Sequence, residues 1–79
     1  MPTVERIGPY RFFFYSNESE EPPHIHVERD RGAVTAKFWL GPVQLARSDL
    51  PGTETRALGR IVVQHRRAFE EAWHDHFGR

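Results

Sequence analysis

His24-Ile25-His26 is the densest chemical feature of this chain. On a strand, residues i and i+2 project to the same side, so the two imidazoles would stand together and Glu28 would continue the row. Imidazole plus carboxylate is a donor set for a divalent metal such as zinc, iron, nickel or copper. His24, His26 and Glu28 are therefore candidate metal ligands. One His-x-His is a weak pattern alone, because a stable site needs ordered partners behind its ligands. The plainer alternative is two polar histidines on an outward face, one of them stacked on Trp39.

Lys37 is expected across from His26, which permits a second chemistry. A titratable base beside a fixed cation suits phosphodiester cleavage. His26 would act as acid or base, Lys37 or Arg11 would stabilise charge on phosphorus, His24 would orient the substrate, and Trp39 would stack a base. Glu28 and the acidic loop 17–23, with Glu18, Glu20 and Glu21, oppose phosphate approach. His65 and His76 fall on an apolar helical stripe, where core histidines are common. His74, Asp75 and His76 point apart on a helix and are not read as a cluster. Ser16 and Ser48 lack a nucleophile elbow, there is no phosphate-binding glycine loop, and there is no cysteine.

These side chains need a scaffold, and the turn residues outline one. Gly8-Pro9 separates a strand over Thr3–Ile7 from an aromatic strand over Tyr10–Ser16. The acidic loop ends in Pro22-Pro23. His24–Asp30 and Ala33–Leu40 flank an Arg31-Gly32 turn, and Val43–Arg47 follows Gly41-Pro42. With Arg31-Gly32 as a two-residue loop, Ile25 faces Phe38 and Val27 faces Ala36. On the other side His24 meets Trp39, His26 meets Lys37 and Glu28 meets Thr35. Across Gly41-Pro42, Leu40 faces Val43 and Phe38 faces Leu45. A slip of one residue would destroy both matches. The first hairpin is less determined, since its simplest register sets Arg6 against Arg11.

Residues 48–52 read as a linker. Thr53 reads as the N-cap of one long helix over 53–77, stopped by Gly78. Leu58, Ile61, Val62, His65, Phe69, Ala72, Trp73 and His76 share one face, and Arg56, Arg60 and Arg67 gather opposite. The expected fold is α+β and one domain over 1–79: an antiparallel β-meander of four to five strands (3–47) with one long C-terminal helix packed on one face.

Composition narrows the function. Eleven basic and eleven acidic residues give zero net charge, which excludes a strongly basic nucleic-acid binder judged by bulk charge. Without cysteine, neither a disulfide nor a thiolate zinc site supports the core, so packing must, and ten aromatics fit that need. No apolar run approaches the roughly 20 residues that cross a membrane, and no secretory segment is read at the start. A cytoplasmic protein with no membrane partner is the expectation.

The second sheet face carries Trp39 with Phe13 or Tyr15, which is too aromatic for idle solvent surface. Arg11, Phe13, Tyr15, His24, Glu28 and Trp39 are its candidate binding residues. It either binds another molecule or is covered by the acidic loop.

Arg11–Glu18 (RFFFYSNE), Glu21–Glu28 (EPPHIHVE) and Ala36–Leu40 (AKFWL), with Trp73 and Phe77 near the end, resemble the bacterial domain-of-unknown-function family 4160. The resemblance implies a short bacterial protein, often encoded beside another small protein in what looks like a toxin–antitoxin pair. It implies no reaction and no catalytic residues. The expectation is a protein-binding module whose partner is a small protein encoded nearby or a second copy. An RNA-cleaving toxin and a metal-binding protein are the alternatives. Geometrically, His24, His26 and Lys37 should project from one sheet face, with the helix packed on the other.

Overall fold

The structure is a computed structural model that describes residues 3–78. Five strands run in sequence order: β1 (Thr3–Ile7), β2 (Tyr10–Phe13), β3 (His24–Arg29), β4 (Val34–Leu40) and β5 (Val43–Ser48). They form one antiparallel meander, so β1 and β5 are its edges. Two helices follow, α1 (Gly52–Gln64) and α2 (Arg66–Phe77).

The central registers are those that parity requires. Ile25 pairs with Phe38, Val27 with Ala36, His24 with Trp39, His26 with Lys37 and Glu28 with Thr35. Leu40 pairs with Val43 and Phe38 with Leu45. At the β3–β4 turn, Ala33 N–H donates to Asp30 O at 3.1 Å, closing a loop whose central residues, Arg31 (φ 59°) and Gly32 (φ 87°), are both left-handed. That backbone twist matches the twist of the flanking strands. The first hairpin does set Arg6 against Arg11, and an irregularity between Thr3 and Glu5 follows.

One sheet face meets the helices. Phe12, Ile25, Val27, Ala36, Phe38 and Leu40 bury there against Leu58, Val62, Phe69 and Trp73, with Phe14 extending the core just beyond β2. Phe12 stacks on Phe69 with ring centres 5.3 Å apart. A carboxylate in the first turn of α1 ties the layers together. Glu54 accepts from Tyr10 Oη at 2.6 Å and from Arg29 Nε at 2.7 Å. Those bonds hold the Glu54 carboxyl below its usual range.

Four expectations need correction. The single helix over 53–77 is two helices, interrupted at His65 (φ −103°, ψ 9°). The break lets α1 lie over β4 and β5 while α2 lies over β3 and β4. Thr53 is not the N-cap. Helix α1 begins at Gly52 after Pro51, with no side-chain cap. Its entry is fixed by tertiary bonds instead, among them Ser48 Oγ to Thr55 Oγ1 at 2.7 Å. The aromatic strand ends at Phe13, not Ser16, because the chain turns away to cross the sheet. His76 is exposed, touching Phe14 and Phe77 by its ring only.

Gly59 lies inside α1, and a Cβ placed there would meet Phe38 at 3.7 Å, an ordinary contact. Glycine at such a site costs backbone entropy and contributes no packing. Gly59→Ala is therefore expected to stabilise the fold by about 0.4–1 kcal/mol. Urea unfolding followed by circular dichroism measures this, as a higher midpoint at unchanged slope.

Candidate functional site

The middle of the second sheet face, over Phe13, His24 and His26, is covered by the chain itself. After β2, residues 14–23 cross that face before β3 begins. Pro22 and Pro23 lead into β3, and Leu40 N–H donates to Pro23 O at 3.0 Å, fixing the crossing at the sheet end. Tyr15 packs edge-on against His26 and Phe13, and Phe13 stacks on His26 at 5.4 Å.

Two carboxylates reach down from this crossing segment. Glu21 Oε1 accepts from Lys37 Nζ at 2.6 Å, and Lys37 also lies 4.4 Å from the centre of the Trp39 ring. Glu18 enters deeper. Its Oε1 accepts from Tyr15 N–H at 2.9 Å. His26 Nε2 lies 3.0 Å from both Glu18 oxygens, and His24 Nε2 lies 3.0 Å from Oε1. One ligand atom each from Glu18, His24 and His26 therefore falls within 4.8 Å of the others. His24 is fully buried, closed in by Trp39 and by Trp73 of α2, whose ring centre is 4.7 Å from its own.

The parity expectation holds in part. His24, His26 and Lys37 share the side opposite Ile25 and Phe38, and His65 stacks on Phe69 away from them. The face is not an open platform, however. His24 and Phe13 are buried and offer nothing to solvent, while Tyr15 keeps 40% of its surface exposed and Trp39 is half-buried. The third member of the expected metal row is also different. Glu28 pairs with Arg11 at 3.0 Å, because β2 places Arg11 directly across from it. Glu18 takes the position expected of Glu28. Strand periodicity cannot reveal a loop residue. The available signal was a carboxylate-rich segment ended by Pro22-Pro23 immediately before His24.

Charges in the site follow from burial. Burial alone would raise the Glu18 carboxyl, but the Tyr15 N–H, the His26 ring and, when it carries a proton on Nε2, the His24 ring outweigh it and hold it below the usual range. Burial also dominates His26 and pushes it below the usual imidazole range. The hydrogen bond and charge of Glu18 offset this only partly, and the positive charges of Lys37 and of His24, when it is protonated, act in the same direction as burial. At neutral pH, Glu18 is ionised and His26 is neutral. His26 Nε2–H then donates to Glu18, because a carboxylate only accepts.

A second surface feature lies on the helix side. The helices do not reach across all of β5, and an apolar groove of about 620 Å³ opens between β5 and α1. Phe38, Val43, Leu45, Gly59 and Val63 line it, with Arg56 and Arg60 at its rim. Leu45 is 47% exposed and Val63 59% exposed. Leu45 was expected beneath the helix, so the apolar patch is only partly covered.

These features define a small two-layer α+β domain with a histidine–carboxylate centre under a crossing segment and an apolar groove on the opposite side. The chain belongs to the family described as domain of unknown function (DUF4160), which matches residues 10–74. No curated protein and no solved structure matches it. Among the described residues, no helix is long and apolar enough to cross a membrane.

The three pKa depressions, at His26, Glu18 and Glu54, have the same sign in stability. A group whose folded pKa is lowered stabilises fully above its unfolded pKa and loses that contribution as pH falls through the folded one. The urea midpoint should therefore fall from about pH 7 downward, first over the imidazole range through His26, then over the carboxylate range through Glu18 and Glu54. His26→Gln should flatten the upper part of the profile and Glu18→Gln part of the lower. Unfolding midpoints at several pH values check this, and a flat wild-type profile would contradict it.

Proposed function

We propose that this protein is a partner-binding module, one component of a toxin–antitoxin-like pair of small bacterial proteins. The observation that carries the reading is the groove between β5 and α1. Apolar side chains at 47% and 59% exposure, Leu45 and Val63, are costly to leave in water in a chain this small. The groove is bordered by β5, an edge strand. Arg56 and Arg60 on its rim have no ion-pair partner among the described residues. Those features fit a partner segment that presents an apolar anchor flanked by Asp or Glu. Charge complementarity at a rim mainly steers encounter, and the apolar centre supplies affinity.

The RNA-cleaving alternative has weaker support. His26 already faces Glu18 and Lys37 already faces Glu21, so carboxylates stand where phosphate oxygens would have to come. His24 cannot orient a substrate without displacement of the crossing segment, since it is fully buried, and Trp39, the expected base-stacking residue, is half-buried with Lys37 over its ring.

The test is co-expression with the product of the adjacent gene, followed by size-exclusion chromatography. Co-elution is expected. Leu45→Glu or Val63→Glu should weaken binding at least about tenfold with the circular dichroism spectrum unchanged. A chain that stays strictly monomeric and does not co-elute would refute the proposal. A homodimer lost on Leu45→Glu would replace the second protein with a second copy.

A further inference from the structure

The histidine–carboxylate centre contains a contradiction that a cation resolves. His24 Nδ1 lies 2.9 Å from Pro22 O. A carbonyl oxygen only accepts, so Nδ1 carries the proton and Nε2 of neutral His24 carries a lone pair. That lone pair has no donor to meet, because Glu18 Oε1, 3.0 Å away, is also an acceptor and lies out of line with it. Among the described residues, His24 Nε2 is the buried side-chain polar atom with no hydrogen-bond partner, since Glu18 lies close but outside hydrogen-bonding geometry. A fully buried nitrogen beside an anion, with no proton between them, is unfavourable by the desolvation it has already lost.

We propose that Glu18, His24 and His26 bind one divalent first-row transition-metal ion of the zinc class, through His24 Nε2, His26 Nε2 and a Glu18 carboxylate oxygen. Nitrogen and oxygen ligands about 2.0–2.2 Å from zinc stand roughly 3.3–3.5 Å apart around a tetrahedron. The two nitrogens here each lie 3.0 Å from Glu18 Oε1, so each oxygen–nitrogen pair needs to open by only a few tenths of an ångström, and all three ligand atoms already lie within 4.8 Å of one another. His26 becomes a ligand when its single ring proton moves from Nε2 to Nδ1, which changes no net charge. The supporting contacts are those that metal ligands ordinarily have. His24 donates its other ring N–H to the Pro22 carbonyl, and Glu18 is held by the Tyr15 N–H. Two imidazoles and one carboxylate suit zinc, nickel or copper better than the oxygen-seeking magnesium or calcium. Bound there, the ion would pin residues 14–23 to the sheet. Three protein ligands would leave one position for water.

The competing occupant of the same point is a proton, which would make His24 an imidazolium paired with Glu18. Titration of the metal-free chain with Zn2+ by calorimetry, and with Co2+ by visible absorption, separates the two. One ion per chain is expected, with Co2+ bands of a tetrahedral or five-coordinate site. A rise in Tm on the order of 10 °C is expected at about 100-fold Zn2+ over its Kd. Glu18→Gln, on the crossing segment, should weaken binding at least about tenfold and abolish the Co2+ bands. His24→Gln should do the same, but its buried position makes Glu18→Gln the deciding variant. Replacing exposed His74 and His76 together by Gln should leave affinity unchanged. No uptake by the folded wild type, or uptake that survives Glu18→Gln and disappears with the His74 and His76 replacements, would overturn the proposal.

Discussion

A five-stranded sheet has two faces, and this chain has helix enough for one. The rest of the structure follows from how the other face is closed. Strand β3 is buried on both sides from His24 to Val27. An apolar cover would leave His24, His26 and Lys37 desolvated without partners, at a cost of several kcal/mol. A loop with carboxylates at Glu18 and Glu21 is an apt cover, because each carboxylate meets a base beneath it while Tyr15 and Phe13 fill the space between.

That solution concentrates polar groups in a place water barely reaches. Glu18 bonds at once to the Tyr15 backbone and to His26, with His24 close by, so removing it would leave several buried groups unsatisfied. Such dense networks are stable only when every member is paired. His24 Nε2 is the member that is not, and for that reason the centre reads as more than a structural plug. The helices contribute from the other layer. The break at His65 sets α2 over β3, where Trp73 closes against His24. The helical layer and the histidine centre therefore share a wall despite lying on opposite sides of the sheet.

The two functional features differ in kind. The groove between β5 and α1 is open, apolar and bordered by an edge strand, properties of a surface that meets another macromolecule. The centre under residues 14–23 is enclosed and polar, with its three candidate ligand atoms within 4.8 Å of one another. A partner at the groove and an ion at the centre are compatible, because the sheet separates them.

Spacing along the chain dictates part of this fold before any tertiary contact forms. Parity at His24–Val27 and the Arg31-Gly32 turn fixed the β3–β4 register, and Leu40 against Val43 fixed the next, because side-chain alternation and tight turns are local properties. The helix-facing core and the stop at Gly78 were legible for the same reason. The family was legible too, from strings on these same elements. Tertiary structure decided the remainder. Whether Glu18 or Glu28 stands beside the histidines depends on where β2 sets Arg11 and how residues 14–23 fold back. The path of that irregular loop is set by the groups it must satisfy on the sheet, not by any period of its own. The break at His65 likewise answers to the sheet beneath it, since the apolar stripe reads equally well as one continuous helix.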